Sequence, residues 1–434
     1  MWIYFVNLIY LNGLCNDVGL PHGVALAILA AMKSQATLPD ALTVSGTNLE
    51  HARSHNRRAV LETVRLNRQL TRADLARLTA LTPQTVSNIT AELLDAGMLL
   101  AGSPLRDGAR GQPAVPLSVN PDGAYSMGVH LDHQGVIAVV SDLSGRVRAR
   151  AERALPQATP AAALPLIDQL RDELRRESGL DWSRLLGAGF VMPGPFGVEG
   201  MTSVGPTTLP GWEEIDGRAL SRALGIPVLL QKDATAAAIG ERLYGMASQL
   251  RNFVYLFVGT GLGAGLFLDG RLYTGGRSNA GEVGHMIVAP GGRACECGNR
   301  GCLERYVSLQ ALYETLGLAD GALATPEHLA GLALDGDGER WLDSAAEPLR
   351  QAVNILESLL DIEAVVIGGL LPPRWLNALV RRLHPLPVSI RHRDGERLRL
   401  GSAGRDVVAL GAAALPIFDE FNPQYEVLLK NGRA

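Results

Sequence analysis

At 434 residues, 47% hydrophobic and 19% charged, the chain is a core-forming globular protein of two or three domains at about 150 residues each, not a disordered one. The net charge of −4 is unevenly held: His51 to Asn120 has nine Arg and no Lys against five acids, so +4 there leaves −8 elsewhere, which points to a polyanion partner for that segment alone. Four cysteines, three of them in one short run, exclude a secreted disulfide framework and imply a reducing, cytoplasmic setting.

Met1 to Leu14 is apolar, but no basic residue precedes the run, Asn7 and Asn12 interrupt it, and it is too short to span a bilayer. No membrane partner is expected. Residues 1–46 read as a dispensable N-terminal extension, the product of an upstream start site; a short amphipathic helix packed on the rest is the alternative.

Residues 47–120 read as a winged helix-turn-helix. Val60, Leu61 and Val64 line one face of a helix beginning near Asn56. Thr71-Arg72-Ala73-Asp74 is a capping box opening a second helix that carries Leu75 and Leu78. Thr82 and Pro83 are N-cap and first residue of a third helix, with a buried stripe of Val86, Ile89, Leu93 and Leu94 and Gly97 as its stop. Gln84, Thr85, Ser87 and Asn88 lie off that stripe near the N-terminus, where amide and hydroxyl groups can reach base edges in a major groove. An ordinary solvated face has the same composition; the surrounding arginines favour DNA. Arg57 and Arg58 are expected on phosphate, and Arg106 and Arg110 at the tip of a strand–tip–strand wing between Leu99 and Val119.

From residue 124 the pattern changes to three apolar runs, Met127–Leu131, Val136–Ser141 and Val147–Ala151, an antiparallel start. Next come a helix near Ala161–Arg176, a strand at Leu186–Val191, a helix near Gly217–Leu224, a strand at Pro227–Gln231 and a helix at Ala234–Tyr244. A second unit begins at Asn252 with strands Phe253–Val258 and Ala264–Leu268. The order resembles the ribonuclease-H-like lobes of the actin and sugar-kinase superfamily. The expected fold is therefore α/β, with an N-terminal winged helix-turn-helix before a two-lobed body over residues 124–434. Lobe 1 spans about 124–245 plus a returning helix at 402–418, and lobe 2 about 250–400.

The run from Gly281 to Glu304, GEVGHMIVAPGGRACECGNRGCLE, holds His285, Cys295, Cys297 and Cys302. One imidazole with three thiolates is a closed tetrahedral set for structural Zn²⁺. Buried cysteines or a redox pair are the alternatives, and the tight spacing beside a His favours metal. Glu282 and Glu304 flank the loop and are not needed for metal; carboxylates there suit the hydroxyls of a sugar.

The same run resembles the signature of the ROK family of repressors, open reading frames and sugar kinases, and the chain is most similar to its xylose-repressor-like group. The resemblance implies a sugar between the lobes, held by Gly194 of Met192-Pro193-Gly194-Pro195, Asp233, Glu282, His285 and Glu304, with Thr208-Leu209-Pro210-Gly211-Trp212 nearby. In the family's kinases Asp233 would be the catalytic base. Lys232 stands where the family usually has Asn, a cation able to pair with Asp233. The first phosphate hairpin of the kinases is replaced by His130, Asp132, His133, Gln134 and Gly135, which brings an acid to the place of phosphate; the second, Gly259 to Gly263, is intact, and Gly368-Gly369 remains at the adenosine position. Asp233 is therefore read as vestigial and no enzyme activity is expected. The resemblance implies a repressor of sugar-utilisation genes with structural zinc, operator DNA, a small sugar effector, and a homodimer or homotetramer. The alternatives are an ATP-dependent sugar kinase with a DNA-binding head, and a repressor that senses a partner protein.

Overall fold

The computed structural model describes residues 49–67, 69–104, 114–194, 209–212, 215–276, 279–318, 325–389, 396–403 and 405–422. Residues 53–423 form one compact unit; the other, residues 1–52 with 424–434, enters the described part only at the start of the first helix.

Among the described residues three helices come first: α1 (Leu49–Asn67), α2 (Arg72–Thr79) and α3 (Pro83–Asp95). The first begins at Leu49, a full turn and more before the expected Asn56. Thr71 and Asp74 form the reciprocal capping box of α2, and the Thr82 hydroxyl accepts the Thr85 N–H at the start of α3. Ala80, in the left-handed region at φ 55°, turns the chain between the two helices. Gly97 at φ 70° ends α3, its N–H donating to Leu94 O while Met98 N–H donates to Leu93 O. Strands β1 (Leu99–Ala101) and β2 (Leu117–Val119) pair antiparallel, and the expected wing tip with Arg106 and Arg110 lies outside the described residues. Val60, Leu61, Val64, Leu75, Val86, Ile89 and Leu93 meet in one core. Leu94 is only half-buried and Leu78 is 48% exposed, because the eight-residue α2 buries one residue alone, Leu75.

The body repeats one topology twice. Strands β3 (Tyr125–Leu131), β4 (Gly135–Asp142) and β5 (Val147–Ala154) are antiparallel, and β6 (Leu185–Met192) and β7 (Val228–Lys232) continue parallel from β3, giving the order β5-β4-β3-β6-β7. Strands β8 (Phe253–Val258), β9 (Leu262–Leu268), β10 (Arg271–Tyr273), β11 (Ala364–Gly369) and β12 (Leu398–Ala403) repeat it as β10-β9-β8-β11-β12. The connecting helices are α4 (Pro160–Ser178), α5 (Gly217–Leu224), α6 (Asp233–Tyr244), α7 (Leu309–Thr315), α8 (Pro326–Gly331), α9 (Asp337–Leu360), α10 (Pro373–Arg382) and the final α11 (Arg405–Phe421).

Helices α6 and α11 pack against each other beside the two sheets: α11 on β3 and β6, α6 on β8 and β9. The sequence permits this through small residues. A Cβ on Gly128 would lie 2.1 Å from Ala409 O, and one on Gly189 2.0 Å from Ala412 O, so neither sheet position tolerates a side chain beneath α11. The expectation of a returning helix from Ser402 is corrected: that residue lies within β12, where its N–H donates to the buried Glu241 carboxylate of α6, and the helix begins at Arg405. The ion pair of Arg397 with the fully buried Glu357 ties β12 to α9. No described helix is long and apolar enough to cross a membrane.

Candidate functional site

One cleft, enclosing about 750 Å³ of space open to solvent, gathers all five residues expected to hold a sugar: Gly194, Asp233, Glu282, His285 and Glu304. Gly194 follows β6, Asp233 begins α6 directly after β7, and the other three come from the loop following β10. Gly281 seats that loop: its φ is 93°, and a Cβ there would stand 1.9 Å from Ala264 O of β9. Pro195 and Thr208 lie outside the described residues.

The charges in the cleft are already partnered. Lys232 Nζ is 2.6 Å from Glu282 Oε1 and donates to Ala280 O at 3.1 Å. The expected pairing of Lys232 with Asp233 therefore does not form; the long side chain extends away over Gly194, where a Cβ would meet Lys232 Cδ at 2.6 Å. Asp233 Oδ1 accepts the Ala234 N–H at 2.7 Å. Burial, with Glu282 and Asp132 adding repulsion, outweighs that bond and the Lys232 charge and pushes the Asp233 carboxyl up to about 7.

Opposite lies the tip of the β3–β4 hairpin. Asp132 is 7% exposed, and its Oδ1 accepts the N–H groups of Gln134 at 2.8 Å and Gly135 at 3.0 Å. The carboxylate thus takes up two backbone amides of the hairpin tip, and Asp132 and the buried His130 both line the cleft. The second hairpin keeps its open backbone, with Thr260, Gly261, Leu262 and Gly263 on the cleft wall.

Behind Glu304 is the cysteine cluster. Ligand atoms of His285, Cys295, Cys297 and Cys302 all lie within 4.8 Å of one another. Cys297 Sγ is 3.6 Å from Cys302 Sγ, and Cys295 Sγ is 3.7 Å from His285 Nδ1. With Zn–S bonds of about 2.3 Å, a tetrahedron has edges of about 3.8 Å, close to these two separations, so the four residues could hold a metal ion. Gly301 closes the loop at φ 84°, where a Cβ would fall 1.8 Å from Ala289 O. Glu304 Oε1 is 3.1 Å from both His285 Nδ1 and the Cys295 thiol. The carboxylate raises the imidazole pKa to about 9, against the opposing effect of burial. The cysteine loop and the cleft therefore share one wall.

On α3, Gln84, Ser87 and Asn88 are exposed side by side, and Gln84 Nε2 donates to Asn88 Oδ1 at 3.0 Å. Thr85 is half-buried, its hydroxyl 2.8 Å from that of Thr82. Arg57 is half-exposed. Arg58, expected on DNA phosphate, instead donates to Asp419 O at 2.8 Å and Asn422 O at 3.4 Å at the end of α11. Arg65, to which the sequence assigned no partner, forms a nearly buried pair with Glu62 and donates to Leu243 O at 2.6 Å. Position marks both: seven residues apart, they stand beside the buried Val60, Leu61 and Val64, which turns them toward the body.

A model of the ROK family matches residues 126–417. The xylose repressor of Bacillus subtilis (strain 168) is 29% identical over 264 residues, which are 60% of this chain and 67% of its own. Among solved structures, a ROK family transcriptional regulator described as a homologue of the Escherichia coli Mlc protein has a TM-score of 0.64 at 24% identity, covering 87% of this chain and 99% of that one. The ROK hexokinase from Thermus thermophilus has a TM-score of 0.53 at 29% identity, covering 68% and 99%. The doubled sheet topology, the cleft and its cysteine loop agree with these matches: this chain belongs to the ROK family.

Proposed function

We propose that this chain is a DNA-binding transcriptional repressor of sugar-utilisation genes, controlled by a sugar in the cleft of its body. The observation that carries the reading is the division of the cleft: five sugar-facing residues converge, while Asp132 occupies the hairpin that a kinase offers to phosphate. Relatives named as repressors support it, and the transcriptional regulator covers 87% of this chain where the hexokinase covers 68%. The difference is of the size of the three leading helices and their hairpin, which we read as a winged helix-turn-helix over residues 47–120.

In this reading Gln84, Thr85, Ser87 and Asn88 of α3 face the major groove, with Arg57, Arg106 and Arg110 on the backbone. Residues 1–46 are dispensable, and residues 124–434 form the ROK domain with the lobes expected above. Glu282, Glu304 and Asp233 accept hydroxyl protons of the sugar, His285 gives a ring face or N–H, and Gly194 admits the sugar close to the backbone. Zinc, held by His285, Cys295, Cys297 and Cys302, supplies structural bracing of the loop that carries Glu282 and Glu304. A two-fold assembly, homodimer or homotetramer, would read a palindromic operator from the cytoplasm.

The reading is tested by selecting duplex DNA from a random pool with the full chain, then titrating that DNA with and without D-xylose, D-glucose and N-acetyl-D-glucosamine. Selection of a palindrome whose affinity falls with one sugar supports it; no DNA selected overturns it. The kinase alternative rests on Asp233 at the cleft floor and predicts sugar-dependent ATP turnover in the same preparation.

A further inference from the structure

Two arginines of α1 each cap the open end of a body helix. The first is Arg58, whose Nη1 donates to Asp419 O and Asn422 O where α11 ends. About two turns further along, Arg65 Nη1 donates to Leu243 O in the last turn of α6. The last carbonyls of a helix have no partner within it and carry the negative end of its dipole, so a guanidinium satisfies both needs. Arg65 is also fixed from behind: Nε and Nη2 grip the Glu62 carboxylate at 2.8 and 2.7 Å, and Cζ stands 5.8 Å from the centroid of the Tyr244 ring.

The other end of α6 is Asp233, in the cleft. A helix of 12 residues therefore spans the ~18 Å from the cleft floor to the arginine that holds α1, without a flexible joint between. Beside the contact lies a polar cavity lined by Arg65, Ser118, Ser144, Tyr244 and Ser248, and the buried Tyr244 hydroxyl has no hydrogen-bond partner among the described residues. The joint is thus held by directed hydrogen bonds in a loosely packed setting.

We propose that Arg65 is a positioning residue that transmits the state of the cleft to the DNA-facing helices through α6. The inference rests on the repressor reading for its sugar arm. A shift of α6 when Asp233 takes a ligand moves the Leu243 carbonyl and Tyr244, and Arg65 carries that movement into α1, the helix that shares its core with α3. A structural clasp alone would hold the head in place without responding.

The test uses the full chain, the pair Glu62→Gln/Arg65→Gln, which removes both members of the ion pair together, and Arg65→Lys, which keeps the charge but loses the planar fork that grips both Glu62 oxygens. Amide exchange over Arg242 to Met246 is measured with and without the duplex that the wild type selects, and operator affinity with and without D-xylose, D-glucose and N-acetyl-D-glucosamine. Operator is expected to slow exchange there in the wild type and not in the paired variant. The paired variant should bind operator and sugar within about threefold of wild type, while the factor by which sugar weakens operator binding falls by about tenfold or to unity. Arg65→Lys should fall between. Wild-type response in the paired variant, or no effect of operator on exchange in the wild type, overturns the proposal. If the wild type selects DNA but answers to no sugar, sugar control fails while the exchange arm still decides the role of Arg65.

Discussion

Lys232, at the end of β7 in one sheet, and Glu282, in the loop after β10 of the other, reach each other, Nζ 2.6 Å from Oε1, and place a charge pair of the protein's own in the cleft. The lysine side chain is 7% exposed and the glutamate 34%, so the cation is fixed while its partner keeps some contact with water. A sugar hydroxyl that donates to Glu282 must compete with this ammonium. Lys232→Asn should free the carboxylate and tighten binding of a neutral sugar by about tenfold, equivalent to ~1.4 kcal/mol. Calorimetry on wild type and variant checks this; weaker binding by the variant would make Lys232 a ligand contact and not a competitor.

That pair also marks the limit of what the sequence could disclose. That Gly194, Asp233, Glu282, His285 and Glu304 share one cleft, and that His285 clusters with three cysteines, was legible because short motifs bring their own geometry: glycines at fixed places force the loops that gather them. The first sheet and the first two strands of the second were legible from apolar runs and turns, whereas β10, β11 and β12 were not placed. The partner of Lys232 was not, since Glu282 is 50 positions away and the neighbouring Asp233 is the nearer candidate in sequence. The partners of Arg58 were hidden for the same reason. Its position on the helix was visible, but α11, whose carbonyls it caps, is 361 residues downstream.

The metal loop yields a direct measurement. Purified protein should contain one zinc per chain, and Cys297→Ser should lose it, because three remaining ligands leave the tetrahedron open. Loss of about 2 kcal/mol would lower the melting temperature of a lobe of this size by roughly 4–8 °C. Chelator should reproduce the shift in the wild type and leave the variant unchanged. Full zinc occupancy in Cys297→Ser would remove that residue from the ligand set.

Asp233 should make stability fall as pH rises. Its folded pKa of about 7 lies above the ordinary 3.8, so below about pH 4 both folded and unfolded forms are protonated and no penalty exists. Between those values the unfolded chain ionises first, stability declines, and above about pH 7 the penalty is constant. Asp233→Asn should therefore stabilise the protein at pH 8 by roughly 2–4 kcal/mol and have no effect at pH 4. Denaturant titrations at the two pH values measure it. The same pair of proteins settles the enzyme question: neither should phosphorylate D-xylose or D-glucose with ATP, and wild-type turnover abolished in Asp233→Asn would promote the kinase reading.

Asn88 and Arg58 should separate on DNA. Asn88→Ala removes an exposed amide from the polar surface of α3 and, on the proposed reading, should cost ~1–3 kcal/mol, with relaxed preference at one position of the operator. Arg58→Gln removes a helix cap and not a phosphate contact. It should lower stability while leaving the salt dependence of operator binding unchanged. A shallower salt slope in Arg58→Gln would return that residue to the DNA surface.

Glu304→Gln should give a repressor that no longer answers its sugar. Glu304 Oε1 stands 3.1 Å from His285 Nδ1, and the His285 bond holds its carboxyl below the ordinary range despite burial, so the group is an anion on the cleft wall. Glutamine keeps the shape and one acceptor but loses the charge, which roughly halves the strength of a hydrogen bond from a sugar hydroxyl. Sugar binding should weaken by about tenfold or more, while operator affinity without sugar stays within about twofold, since Glu304 belongs to the loop between β10 and α7, away from α3. Linkage requires the reverse effect too: if sugar weakens operator binding in the wild type, operator must weaken sugar binding by the same factor, and both factors should shrink together in the variant at subsaturating sugar. Zinc content must be measured alongside, because the Cys295 thiol lies 3.1 Å from the same carboxylate oxygen. Unchanged sugar response at full zinc occupancy would remove Glu304 from the effector site; loss of response together with zinc would assign it to the metal loop instead.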